Sequence, residues 1–152
     1  DRGVYTPQVI VNGKAQVLGS DRAAIERAIA AMRSENVAMQ LPVKLAVAGD
    51  GLKVDLPAFQ IGNANGEVWI CGISRNVKVT IRRGENRNSQ IEYHHVVRRW
   101  LKVGDWKGAS ATWNVPLENI QSDGVDAAIV YVQSGNRDRP GTMLGASLVA
   151  LK

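Results

Sequence analysis

The segment YTPQVIVNGKAQVLGSD, residues 5–21, decides the fold that we predict. Residues 8–11 favour extended structure and lead into Asn12-Gly13, the dipeptide that most readily forms a two-residue hairpin turn. A return strand follows over residues 14–18, and Ser20 is placed to cap a helix that begins directly after it. We therefore predict a strand, a tight turn, a second strand and a helix.

The order of these parts resembles the second half of a thioredoxin or glutaredoxin fold. In that family a Thr-Pro or Val-Pro pair precedes a strand, a tight turn leads to the next strand, and a helix closes the unit. Thr6-Pro7 and Asn12-Gly13 stand in those places. The resemblance implies a cis Pro7, and it implies that Tyr5, Thr6 and Pro7 line a substrate groove that recognises an extended strand. The alternative is an ordinary ββα unit in which Pro7 caps an edge strand.

Redox catalysis in that family uses a Cys-x-x-Cys at the N-terminus of the first helix, where the helix dipole lowers the thiol pKa. Cys71 is the one cysteine of this chain, so its residues contain no dithiol. We therefore assign no catalytic residue within the chain. The chain starts at Asp1 without methionine, and the resemblance leads us to expect an upstream portion that carries any reactive cysteines.

One amphipathic helix is predicted, over about residues 22–34. Its apolar residues recur at the spacing i, i+3, i+4, i+7, which gives it one face to bury. A two-stranded hairpin with a single helix is marginal in water without a further layer. We expect residues 1–34 to pack on a missing N-terminal thioredoxin-like segment or on a neighbouring copy.

Residues 35–42 indicate a linker, and after Pro42 the spacing of apolar residues changes from a helical period to strand-like alternation. Residues 43–48 and 52–56 alternate apolar and polar side chains around a Gly-Asp-Gly turn, which predicts a hairpin with one solvated face. Six further strand-like runs follow, over residues 67–73, 77–82, 91–103, 109–115, 125–132 and 142–151. The predicted fold class is α+β: the C-terminal half of a thioredoxin-like fold (ββα) over residues 1–41, followed by an antiparallel β-sandwich over residues 42–152.

The chain is basic, with 19 Lys and Arg against 14 Asp and Glu and a net charge of +5. Acids alternate with arginines in two of its loops, which is typical of a solvated surface. Arg98, Arg99 and Trp100 belong to the densest basic-aromatic cluster and are the candidates for binding an anion. Alternation along a strand divides them between two faces, so we do not expect nucleic acid as a partner.

Cysteine and histidine predict no metal site. Cys71 shares a strand face with Trp69 and Ile73, which indicates a buried structural thiol. His94 and His95 point to opposite faces of a strand and cannot easily chelate one ion, so we expect one packed and one surface histidine. The sequence contains no phosphate loop, dinucleotide motif, zinc-protease motif or nucleophile elbow, and we predict no cofactor. No apolar run approaches the ~20 residues that span a bilayer.

The chain as a whole resembles a family of secreted bacterial proteins, the domain-of-unknown-function 1223 family. In that family a thioredoxin-like domain precedes a β-rich C-terminal domain, and this chain resembles the later part. The resemblance implies export to the periplasm or the medium but no established reaction. The segments that carry it are VYTPQ (4–8), NG (12–13), DRAAI (21–25), VTIRRG (79–84), YHHVVR (93–98), GDW (104–106) and LGA (144–146).

Two functions follow as hypotheses. The first is an exported thioredoxin-like protein that exchanges thiols and disulfides through cysteines upstream of this chain, so whether the full protein is an enzyme stays open. The second is a non-enzymatic binding or scaffold protein of the cell envelope that acts through the β-sandwich on a protein, a glycan or another envelope component. The lack of a catalytic motif between Val43 and Lys152 motivates the second.

Overall fold

The computed structural model describes residues 5–152, which form nine strands, one α-helix and one short 3-10 helix. The strands are β1 (Gln8–Val11), β2 (Ala15–Leu18), β3 (Lys44–Ala48), β4 (Gly51–Leu56), β5 (Gly66–Thr80), β6 (Gln90–Trp106), β7 (Ala111–Pro116), β8 (Ala127–Asn136) and β9 (Arg139–Ala150); α1 is Arg22–Arg33, and the 3-10 turn is Leu117–Asn119. No helix among these residues is long and apolar enough to cross a membrane.

The strands form three antiparallel sheets. β1 and β2 pair with each other, β3, β4 and β7 form a three-stranded sheet, and the third sheet has the order β6-β5-β8-β9. The two larger sheets share one core, because alternate side chains of each point towards the other sheet. Leu52 and Val54 from one sheet and Ile70 and Val130 from the other are at most 1% exposed.

The first hairpin and the helix form as local units. Asn12 and Gly13 both have positive φ, 49° and 75°, as a tight hairpin turn requires, but the loop has three residues rather than the predicted two, because Val11 pairs with Ala15 and Lys14 stays in the turn. The helix is capped by Asp21 rather than by Ser20, because the Asp21 carboxylate reaches the amide of Ala24 at 2.9 Å. The Thr6–Pro7 peptide bond is cis.

The predicted fold class is wrong in its first part, because this ββα unit is not half of a thioredoxin-like fold. β1 and β2 pair only with each other within residues 5–152. Among the helix residues only Met32 is buried, while Ile10, Leu18 and Ile29 are 54%, 45% and 37% exposed. The protein is mostly β, in three antiparallel sheets. The local sequence pattern predicts the hairpin and the helix, but it does not determine whether a further sheet packs against them.

Two other expectations change. Residues 67–73 and 77–82 read as two strands but lie in the single strand β5, because the polar residues between them pair with β6. The segment after α1 read as a linker, yet its amides at Met39 and Leu41 donate to the carbonyls of Met143 and Leu144 at 2.9 and 2.8 Å. This segment is therefore fixed along β9.

β5 and β6 extend beyond the rest of their sheet. β5 pairs with β8 only over residues 66–73, whereas its pairing with β6 continues to Thr80. We name residues 74–96 the β5–β6 arm: two paired strands, residues 74–80 and 90–96, with a connecting tip over residues 81–89.

Candidate binding site

A cleft of about 590 Å³ lies between the β1–β2 hairpin and the outer face of the four-stranded sheet. The outer face is the one turned away from the core, and it carries the residues of β5 that alternate with buried Val68 and Ile70. Trp69 and Trp100 line the cleft from the sheet, and Ile10 and Gln16 line it from the hairpin. We name this feature the tryptophan cleft.

The hairpin wall of the cleft is held in place by its turn. The Met143 amide on β9 donates to the carbonyl of Asn12 at 2.9 Å. A Cβ on Gly13 would lie 2.7 Å from the carbonyl oxygen of Gly141, so only glycine lets the turn approach β9 this closely. Lys14 also contacts Glu35 at 2.9 Å, which connects the hairpin to the segment after α1.

The two tryptophans stack and are fixed at their polar ends. Their ring centroids are 4.7 Å apart with 29° between the ring planes. Nε1 of Trp100 donates to Oη of Tyr131 at 2.7 Å, and Nε1 of Trp69 donates to Oε2 of Glu67 at 3.2 Å. Trp100 is nevertheless 54% exposed. The two rings therefore form an aromatic floor of the cleft, and their orientation is set before any ligand arrives.

Two of the three charged residues that line the cleft, Lys14 and Glu67, form ion pairs, whereas Arg137 forms none among the described residues. Lys102 Nζ lies 2.9 Å from Oε1 of Glu67 and 2.9 Å from Oδ1 of Asp105. These hydrogen bonds, first that to Asp105 and then that to Glu67, raise the pKa of Lys102, which keeps it charged and paired. Lys14 is likewise paired with Glu35. Paired charges of this kind leave little net field for attracting an ion.

Two titratable groups, Cys71 and Tyr131, lie on the same sheet face as the tryptophans, since Cys71 pairs with Trp100 and Tyr131 pairs with Trp69. Burial raises the pKa of Cys71 to about 11, and mainly burial raises the pKa of Tyr131 to about 12. A neutral thiol is a poor nucleophile. Residues 5–152 also contain no cluster of three His, Cys, Asp or Glu side chains that could hold a metal ion.

The structure separates the predicted anion-binding residues. Trp100 lies in the tryptophan cleft, whereas Nε of Arg98 donates to Oγ of buried Ser74 at 2.9 Å, and Ser74 donates to the carbonyl of Gly124 at 2.6 Å. Arg99 pairs with Gly72 in the β-ladder and is exposed. The three residues therefore do not converge on one site.

The other residues singled out in the sequence lie outside the cleft. Tyr5, Thr6 and Pro7 precede β1, and the Pro7 carbonyl accepts from the Gly19 amide at 2.8 Å, which closes the base of the hairpin. His94 and His95 are both exposed, and Nδ1 of His94 lies 2.7 Å from Oδ1 of Asn76. The sequence predicts one packed and one surface histidine. Both are exposed because the β5–β6 arm leaves both faces of β6 in solvent at residues 94–95.

Sequence reasoning missed the cleft because its walls come from four separate segments. Its residues derive from β1–β2, β5, β6 and the β8–β9 hairpin. One signal was present: Trp69 and Cys71 were predicted on one strand face, and the residue paired with Cys71 on β6 is Trp100. The register of β5 against β6, which two bulges shift, decides that pairing.

Comparison with known proteins identifies a structural relative and a family. The chain is similar to the crystal structure of a protein from Agrobacterium tumefaciens, with a TM-score of 0.75 and 28% sequence identity. The match covers 97% of this chain and 62% of that protein, so the chain spans less than two thirds of the relative's length. No curated protein sequence matches the chain. The family model described as "Protein of unknown function (DUF1223)" matches residues 1–133, and the chain therefore belongs to the DUF1223 family.

Proposed function

We propose that this protein is a non-enzymatic binding protein and that its ligand is an uncharged glycan held in the tryptophan cleft. The observation that carries the proposal is the stacked pair of Trp69 and Trp100, which is fixed at both indole N–H groups and leaves Trp100 half-exposed in the cleft. Ligand sites in proteins are typically concave, lined by aromatic side chains and edged with a few polar groups. The cleft has this composition.

The polar groups at the cleft favour an uncharged, hydroxyl-rich ligand. Gln16, Ser134 and Asn136 line it, and amide and hydroxyl side chains both donate and accept hydrogen bonds, as sugar hydroxyls do. The nearby charges of Glu67 and Lys102 are already paired with each other. A sugar ring can place its apolar face on an indole and its hydroxyls on the rim, whereas a free anion would find one unpaired charge in the lining, that of Arg137.

Thiol–disulfide exchange is the competing hypothesis, and it would depend on cysteines outside this chain. The cysteine that the chain contains is buried and has a raised pKa, so it does not contribute a nucleophile. The tryptophan cleft is complete without such cysteines. For this reason we favour binding as the function of the described residues.

We also propose that the protein acts in the periplasm or outside the cell, where envelope glycans are accessible. The family resemblance of the sequence supports this location. Two exposed apolar residues outside the cleft, Leu18 of the hairpin and Ile29 of the helix, support a further packing partner there, either an N-terminal segment of the protein or a second copy.

The proposal is tested by titration calorimetry with soluble neutral oligosaccharides of glucose and of N-acetylglucosamine, using Trp fluorescence as a second readout. Trp100→Ala should weaken binding by about 10-fold or more, since a central aromatic anchor commonly contributes that much. Tyr93→Ala is the matched control, because Tyr93 is an equally exposed aromatic residue on the same strand but outside the cleft. Binding that is unchanged in Trp100→Ala, equal losses in both variants, or no binding of any oligosaccharide would overturn the proposal.

A further inference from the structure

The β5–β6 arm projects from the sheet as a two-stranded ribbon. Residues 74–80 pair with residues 90–96, and no third strand among the described residues joins them. Seven residues of extended strand reach about 24 Å. The arm is therefore open to a partner on both of its faces.

One face of the arm is apolar. Val77 pairs with Tyr93 and Val79 pairs with Ile91, and residues that pair across antiparallel strands point to the same face. Val79, Ile91 and Tyr93 are 42%, 36% and 48% exposed. The opposite face is polar, with the pairs Asn76–His94, Lys78–Glu92 and Thr80–Gln90.

The arm and its base carry the net charge of the whole chain. Residues 74–99 contain seven Lys and Arg and two Asp and Glu, a net charge of +5, while the remaining residues contain twelve of each. Three of these arginines, Arg82, Arg83 and Arg87, lie in the exposed tip, where Glu85 is the one acid. Uneven charge of this kind directs association with an anionic partner.

We propose that the β5–β6 arm docks on an anionic lipid bilayer, with its apolar face in the interface and its tip arginines at the lipid headgroups. A bilayer surface accepts both features at once, because aliphatic and tyrosine side chains enter the headgroup–acyl boundary while arginines pair with anionic lipids. None of the arm residues lines the tryptophan cleft, so docking of the arm does not require the ligand of the cleft.

Two other occupants fit the arm less well. A second copy would bring together two arms of the same net positive charge, which repel each other. A nucleic acid would take the arginines, but it would leave the aliphatic face of Val79 and Ile91 in water, and Tyr93 is the one aromatic residue there for stacking a base. The combination of aliphatic groups and arginines therefore selects the lipid surface.

The first test is co-sedimentation of the protein with vesicles of phosphatidylcholine containing phosphatidylglycerol, compared with vesicles of phosphatidylcholine alone. Each arginine near an anionic surface contributes about 5-fold in affinity, so loss of three should weaken binding on the order of 100-fold. A control variant, with three exposed arginines of α1 replaced, loses the same charge elsewhere on the protein. Its affinity for the vesicles should stay within a few-fold of that of the unaltered protein. The arm variant is Arg82→Ser, Arg83→Ser and Arg87→Ser, and the control is Arg22→Ser, Arg27→Ser and Arg33→Ser.

The second test separates docking of the apolar face from simple charge attraction. Val79→Ser with Ile91→Ser removes one apolar cross-strand pair, and Thr80→Ser with Gln90→Ser alters the adjacent pair on the polar face. The first variant should lose at least 10-fold in vesicle affinity at unchanged circular dichroism, and the second should lose little. Equal losses, equal binding to both kinds of vesicle, or tighter binding to duplex DNA than to the anionic vesicles would overturn the proposal.

Discussion

Replacing Gly13 by alanine should detach the β1–β2 hairpin from the rest of the protein. Gly13 has φ +75°, a left-handed backbone conformation that residues with a Cβ rarely adopt. The new Cβ would lie 2.7 Å from Nε2 of Gln133 and 2.7 Å from the carbonyl oxygen of Gly141. Gln133 has a flexible side chain that can turn away. The Gly141 carbonyl is backbone, so β9 or the hairpin itself must move.

The expected loss of stability in Gly13→Ala is estimated by comparison with Gly49, which provides a matched control. Gly49 has φ +61°, and nothing lies within 4 Å of a Cβ built there. Alanine at either position costs about 1–2 kcal/mol for the left-handed backbone. Only at Gly13 does the clash add an overpacking cost of about 1–3 kcal/mol. We therefore expect about 2–5 kcal/mol for Gly13→Ala and about 1–2 kcal/mol for Gly49→Ala.

Hydrogen exchange at the Met143 amide measures the detachment directly, because this amide donates to the Asn12 carbonyl at 2.9 Å. Gly13→Ala should accelerate exchange at this amide by about 30-fold or more, which corresponds to the lower end of the expected free energy. Gly49→Ala should leave it close to that of the unaltered protein. If the two variants exchange alike at Met143, close packing at Gly13 does not hold the hairpin.

Two further predictions concern buried polar groups. Cys71 in the folded protein should react with iodoacetamide near neutral pH far more slowly than an exposed cysteine, and rapid labelling of the native protein would contradict this. Because burial raises the pKa of Cys71 from 9.0 to about 11, its contribution to the free energy of unfolding should be constant below pH 9 and be lost as the pH rises towards 11. Ser74→Ala should lower the free energy of unfolding in urea by about 1–3 kcal/mol, since it removes the hydroxyl that bonds to both Arg98 and Gly124. Ser110→Ala, at an exposed site, should change the free energy of unfolding little. A urea midpoint of Ser74→Ala equal to that of the unaltered protein would show that these hydrogen bonds do not stabilise the fold.

Elements with a local cause were predictable from the sequence. Asn12-Gly13 predicts a tight hairpin turn, and Gly49 with the alternation on either side of it predicts the β3–β4 hairpin. The spacing of apolar residues predicts α1 to within one residue of its observed end at Arg33. In each case the residues that determine the element lie within the element.

Features with a non-local cause were not predictable. β8 lies between β5 and β9, and nothing within β8 itself specifies which two strands it joins. The same limit explains the wrong thioredoxin-like assignment, because a ββα pattern is compatible with several tertiary partners. The tryptophan cleft depends on two such non-local features. The register of β5 against β6 brings Trp100 over Trp69, and the docked β1–β2 hairpin provides the opposite wall.

The two proposed surfaces share one pair of strands, and this constrains how they can act together. β6 carries Trp100 in the cleft and then, towards its N-terminus, the arm residues from Val96 to Gln90. Tyr93, the nearest residue of the apolar face of the arm, lies seven positions from Trp100, which is about 24 Å of extended strand. An arm that lies on a bilayer therefore holds the cleft within a short distance of the membrane surface. Glycans attached to that membrane would meet the cleft at a raised effective concentration, so a weak sugar site would suffice for stable binding.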